Sequence, residues 1–189
     1  MKGLLKEIRQ CSLCEPFLPL GANPIISASA ESKIVLISQA PGRIAHEKTR
    51  AWDDPSGKRL KEWLGVDDHT FYNPDNFAIL PLGFCFPGKA KTGDLPPRPE
   101  CAPLWQQQVL DKIKGNPLKI LIGNYSQRYY LNDKLKLTQR VKNFQDYLPG
   151  HFVIPHPSPV NRFWTIKNPW FEQEIVPVLR EVVGQRLSE

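Results

Sequence analysis

Four short apolar runs leave this chain few ways to fold: Ile34 to Ile37 (IVLI), Phe77 to Leu82 (FAILPL), Leu118 to Ile122 (LKILI) and Phe152 to Ile154 (FVI). Each is rich in Ile, Val and Leu without polar alternation, the pattern of a strand buried on both faces. Helical signals lie between and after them. In residues 54–64 (DPSGKRLKEWL), Asp54 is an N-cap, Pro55 takes the first helical position, and Leu60, Trp63 and Leu64 share one face. Residues 99–114 carry Leu104, Val109 and Ile113 before a Gly115 stop, residues 125–131 suit a short helix, and residues 169–187 hold Phe171, Ile175, Val178, Leu179 and Val182 at helical spacing. Strands alternating with helices predict a parallel sheet covered on both faces, an α/β fold in which working residues gather in the loops at the strand carboxyl ends. Those loops read SQAPG (38–42), GFCFPG (83–88), GNYS (123–126) and PHPSPVN (155–161).

The 189 residues suffice for one core, and no linker or charge block divides them, so a single domain over 1–189 is expected. Nineteen prolines, roughly twice the usual fraction, imply stiff loops. No apolar run approaches the ~18 residues of a membrane span, and the N-terminus MKGLLKEIRQ lacks a secretory apolar segment. A cytoplasmic protein is expected, with no membrane partner and no sign of an obligate dimer, hence a monomer. The formal charge of +6 favours a polyanionic partner. Cys11 and Cys14 form a C-x2-C pair, while Cys85 and Cys101 lie downstream with 15 residues between them. In a reducing compartment such a set points to a metal or cluster site more than to disulfides, with four unrelated buried thiols as the plain alternative.

Two loops carry the remaining signal. In Ser38-Gln39-Ala40-Pro41-Gly42, small residues bring backbone amides near whatever binds, and Pro41-Gly42 forces a turn. Ten residues after Gly42 stands Trp52, by itself an ordinary core aromatic. At the end of the last apolar run His156 is held between Pro155 and Pro157, a stiff mount for a hydrogen-bond donor.

HPSPVN (156–161) and SQAPG (38–42) resemble the two signature loops of the uracil-DNA glycosylase superfamily, which follow the last and first strands of a four-stranded parallel sheet. Cys11, Cys14, Cys85 and Cys101, with Trp52, are similar to the pattern of its iron-sulfur branch, often called family four. The resemblance spans roughly residues 8–165. It implies a three-layer α/β/α sandwich, DNA as partner, base excision by hydrolysis of an N-glycosidic bond, and a 4Fe-4S cluster on the four cysteines, with zinc as the competing metal. Residue by residue, it implies that His156 donates to the departing base and Gln39 takes the catalytic position of the first loop. Ser38, Ala40, Pro41, Gly42 and Trp52 would surround a base flipped out of the duplex. Ser158, Val160, Asn161 and Arg162, up to Phe163, would press on and wedge into the DNA, while Lys89 and Lys91, with Lys167 and Arg98, would meet phosphates.

Two departures qualify that expectation. Family four has a Glu where this chain has Gln39, and the classical uracil enzymes have an Asp where it has Ala40. Glutamine orients a water but cannot accept its proton. Glu47, Asp53 and Asp54 are the stand-ins nearest in sequence. Counting back from Cys85, the Asn that reads the pyrimidine edge in family four falls on Pro81, so uracil selectivity is not implied. A nucleic-acid-binding module that keeps the fold without the catalysis is therefore the alternative expectation.

Overall fold

A computed structural model describes all 189 residues. The four apolar runs form four parallel strands, β1 (Ile34–Ile37), β2 (Phe77–Ile79), β3 (Leu118–Ile122) and β4 (His151–Ile154), in the order β2-β1-β3-β4. Register pairs Ile34 with Phe77 on one side and with Leu118 on the other, and Ile122 with Ile154 at the far edge. Every residue of β1 is fully buried, so helices cover both faces and the predicted α/β sandwich is the observed one.

The helices are α1 (Lys2–Arg9), α2 (Arg43–Lys48), α3 (Pro55–Leu64), α4 (Asp68–Tyr72), α5 (Cys101–Leu110), α6 (Gly123–Tyr130), α7 (Leu137–Lys142), α8 (Arg162–Lys167) and α9 (Val176–Ser188). None is long and apolar enough to cross a membrane. Helix α3 starts as its sequence dictates, with the Asp54 carboxylate accepting from Gly57 N–H at 2.8 Å and Pro55 behind it. It packs with α9, which also meets β1, while α6 and α7 pack together against β4.

Three expectations need adjustment. Helix α5 turns Ala102, Trp105, Gln106 and Val109 inward, leaving Leu104 exposed. These residues follow i, i+3, i+4 and i+7 from Ala102, and Ile113 is buried beyond the helix end. The last helical stretch opens with a π turn, Phe171–Ile175, before α9. Strand β2 ends at Ile79 rather than Leu82, and Pro81 stands on its outer side, where a missing N–H takes nothing from the β1 ladder. Pairing to β1 nonetheless continues past Pro81: Leu80 N–H donates to Leu36 at 3.0 Å, Leu82 to Ser38 at 2.9 Å and Gly83 to Gln39 at 2.9 Å. The sheet thereby extends into the loop that holds Gln39 and fixes its backbone.

The chain leaves β1 toward β2 on one side and returns to β3 on the other, which makes the β1/β3 boundary the switch point where a crevice opens. One segment folded over that crevice is tightly built. Trp52 has φ of 60°, in the left-handed region, and a Cβ on Gly57 would stand 1.7 Å from the Trp52 carbonyl oxygen. Glycine at 57 is thus what lets helix α3 seat against the Trp52 turn. Gly57→Ala is expected to cost at least about 1–3 kcal/mol, the usual penalty of overpacking. The measurement is a lowered denaturant midpoint at unchanged slope together with altered tryptophan fluorescence; wild-type stability would mean that the turn is not built against α3.

Candidate active site

A cleft of about 380 Å³ opens at the carboxyl ends of the strands. The loop after β1 lines it with Ser38, Gln39, Ala40, Pro41 and Gly42, and the segment after β2 adds Pro81. Tyr125 comes from the start of α6, and His156, Ser158, Val160 and Asn161 come from the loop after β4. Trp52, Asp54 and a hairpin carrying Lys89 and Asp94 close the remaining sides. Residues far apart in sequence meet here because all four strands run the same way.

His156 is held from several sides. Its Nδ1 accepts from Ser158 N–H at 3.2 Å, which leaves the proton on Nε2, where no protein group receives it. The Asn161 amide donates to the His156 carbonyl at 2.9 Å and holds the loop closed on itself. Behind the imidazole lies Gly123, whose φ of 82° suits glycine and whose missing Cβ would come within 3.2 Å of His156 Cβ. Gln127, buried in α6, donates to the Ile154 carbonyl at 3.0 Å and so ties α6 to the strand that delivers the histidine. The Trp52 ring lies 5.7 Å from the imidazole, tilted by 33°. Burial pushes the His156 pKa down to about 4, against the smaller opposing pull of the Asp54 and Asp94 carboxylates. The imidazole is neutral near pH 7 and presents one donor.

The expected rim residues divide. Val160 and Phe163 are the most exposed large apolar side chains of the molecule, at 72% and 78%, and Ile166 joins them one helical turn on in α8. Arg162 and Lys167 are exposed beside them without lining the cleft. Lys89 lines the cleft and lies 2.7 Å from Asp94, whereas Lys91 is exposed near the hairpin tip and does not line it. Arg98 is already engaged: its guanidinium binds Glu100 at 2.6 Å and stacks 4.4 Å from the Phe17 ring. Of the acidic stand-ins, Glu47 pairs with Arg43 at 2.6 Å and Asp53 with Lys48 at 3.0 Å, both outside the cleft lining. Asp54 does line it, with one oxygen spent on the α3 cap. Asp94 is a cleft residue that sequence reasoning missed, and Tyr125 lies in the GNYS loop it singled out without receiving a role there. An acidic residue following Gly93 in an otherwise basic loop was the available signal for Asp94.

The four cysteines are free and line a second, small pocket with Leu18, Phe84, Arg98 and Trp105. Burial pushes the Cys85 thiol up to about 11 and Cys101 up to about 12. In kind and number the donors suit an iron-sulfur or zinc centre. As placed, however, no three His, Cys, Asp or Glu side chains are gathered as a ready metal site.

The fold is a parallel α/β/α sandwich with a cleft at its switch point, and in that cleft a neutral imidazole lies beside an indole. The sequence makes the class specific. Residues 26–180 match the family model described as Uracil DNA glycosylase superfamily, and the chain belongs to that superfamily. Its members are generally DNA glycosylases, which gives the chain a DNA glycosylase-like role.

The histidine makes a sharp pH test. Between pH 4 and 6.5 the unfolded chain holds a proton on this residue that the folded chain does not, so stability falls as pH drops through that interval and is fully present above it. The His156 imidazole resonances are expected to titrate near pH 4, and His156→Asn should remove this part of the acid loss relative to wild type. A midpoint near 6.5 would mean that the ring is solvated rather than enclosed.

Proposed function

We propose that the protein is a DNA glycosylase that flips a deaminated base, uracil or another, into the cleft and hydrolyses its N-glycosidic bond. The observation that carries this reading is the neutral His156 with Nδ1 engaged by Ser158 and Nε2–H free. When the bond between sugar and base breaks, the electron pair stays on the base and negative charge spreads to its carbonyl oxygen. A preset donor there lowers the barrier without needing a charged histidine. Trp52 offers a face for the base, Ser38 to Gly42 bring close backbone and small side chains, and Gln39 orients water. Exposed Val160 and Phe163 suit the gap left in the duplex, with Ser158, Asn161 and Arg162 beside it and Lys89 and Lys91 on the opposite rim. Pro81 gives the cleft no side-chain amide with which to select uracil.

A second reading is favoured by the absence of a carboxylate at Gln39 and Ala40: a module of the same fold that binds nucleic acid without cutting it. The cysteines Cys11, Cys14, Cys85 and Cys101 are proposed to hold a 4Fe-4S cluster, with zinc as the competing occupant. Support comes from their free state and shared pocket. Such a centre would act structurally, tying the N-terminal segment to the loop between β2 and α5.

Purified protein is expected to release at least one of uracil, hypoxanthine or xanthine from oligonucleotides, and His156→Ala to slow single-turnover release about 10²–10³-fold. Salt-sensitive binding with no release would establish the binding module instead. Anaerobically purified protein should be brown, with broad absorbance near ~400 nm that is lost on Cys85→Ser. Colourless protein carrying stoichiometric zinc would replace the cluster with a zinc site.

A further inference from the structure

Hydrolysis makes two demands that a neutral imidazole and a glutamine do not meet. The attacking water must give up a proton, and the sugar gains positive charge in the transition state. One carboxylate beside the reacting carbon answers both.

The hairpin between Cys85 and Cys101 brings one. Lys89 and Asp94 face each other across an antiparallel bridge, with Ala90 N–H donating to Gly93 at 3.1 Å and Leu95 N–H to Gly88 at 2.9 Å. This fold-back carries Asp94 across the cleft to the first loop, where its Oδ2 lies 3.5 Å from the place a Cβ on Gly42 would occupy. Its side chain is 19% exposed. Lys89 Nζ pairs with the buried Oδ1 at 2.7 Å, while Oδ2, on the Gly42 side, has no partner in the protein. Asp94 and Asp54 are the two carboxylates whose charge reaches His156 from the cleft wall. Asp54 commits an oxygen to capping α3 at 2.8 Å. Each of the two has one oxygen engaged, but Asp54 is fixed in a helix cap, whereas the second oxygen of Asp94 lies against Gly42 in the loop that holds Gln39, the better place for chemistry.

We infer that Asp94 is the catalytic carboxylate of this cleft, accepting the proton of the attacking water and offsetting the charge that develops on the sugar. The inference rests on the glycosylase reading and deepens it. The bond from C1′ to the base nitrogen breaks with its electron pair going to the base, whose oxygen accepts from His156 Nε2–H. The water oxygen bonds to C1′, its proton passes to Asp94, and Asp94 then returns that proton to the departing base anion. Atoms and charge balance with no further reagent. Gln39, held by the β1–β2 ladder, orients the water without taking its proton.

The test is single-turnover base release on the oligonucleotide the wild type cleaves, with affinity for an uncleavable analogue measured in parallel. Asp94→Asn should slow release about 10²–10³-fold, within the range of general-base catalysis, while binding stays within about threefold and the melting temperature holds. Adding Gln39→Glu to Asp94→Asn should recover tenfold or more, by returning a carboxylate to the water from the other side. Glu47→Gln, an exposed pair with Arg43, serves as the unaffected control. A wild-type rate for Asp94→Asn alongside a dead His156→Ala overturns the Asp94 assignment alone, as does a loss confined to Asp54→Asn or one that appears only in binding. A wild type that releases no base overturns the glycosylase reading and this inference together.

Discussion

Burial of β1 on both faces and pairing along both its edges is the constraint from which the rest of the molecule follows. A fully buried strand has no solvent to satisfy its backbone, so its amides and carbonyls must pair with β2 and β3. Parallel pairing then forbids short hairpins and requires crossovers, which supply the helices that cover the sheet. Because all strands point one way, their four following loops crowd together at one end. The cleft is a consequence of topology before it is a consequence of any side chain.

Within it, the electrostatics rest on the contrast between enclosure and solvent. His156 sits against Trp52 and Gly123, and losing water there outweighs the attraction of two nearby carboxylates. If attraction won, the ring would be a cation ion-paired to Asp54 or Asp94, with both its protons already directed. Because enclosure wins, the ring is not held as a cation by either carboxylate and keeps a single donor whose direction Ser158 sets. The arrangement thus holds a donor and an acceptor in one small space without letting them neutralise each other.

Much of this was legible in the sequence, and the exceptions share a cause. The bounds of β1 and β3, the Asp54 cap and the membership of the four loops follow from local pattern: apolar runs, a capping residue ahead of a proline, turn residues at run ends. Most of the cleft, from Ser38 to Gly42, Trp52, and His156 to Asn161, came from the resemblance of two loops to the signature loops of the superfamily, since local pattern alone left Trp52 an ordinary core aromatic. What it missed depends on long-range placement. Leu104 has the right residue type for a core face, but the helix turns about Ala102 and Trp105. Arg98 belongs to a basic stretch, yet Glu100 and Phe17 engage it. Asp94 enters the cleft only because the hairpin folds back toward Gly42, a contact that no periodicity encodes. The tautomer of His156 is likewise set by a backbone amide whose direction depends on the turn at Pro157.

The segment from Cys85 to Cys101 links the thiol pocket to the cleft. Its ends supply half of the thiol pocket and its middle supplies Lys89 and Asp94. Gly88, at φ of 109°, leaves room where a Cβ would meet Pro19 and Leu95 at 3.2 Å, so the hairpin base is seated on the N-terminal segment that carries Cys11 and Cys14. Gly83 is seated as closely, its absent Cβ standing 3.0 Å from Pro97. With both ends and the base of the hairpin braced this way, the position of the Asp94 carboxylate depends on the packing around the cysteines as much as on the cleft itself. The thiol pocket and the cleft hairpin are therefore two parts of one packed segment, joined by the contacts at Gly83 and Gly88.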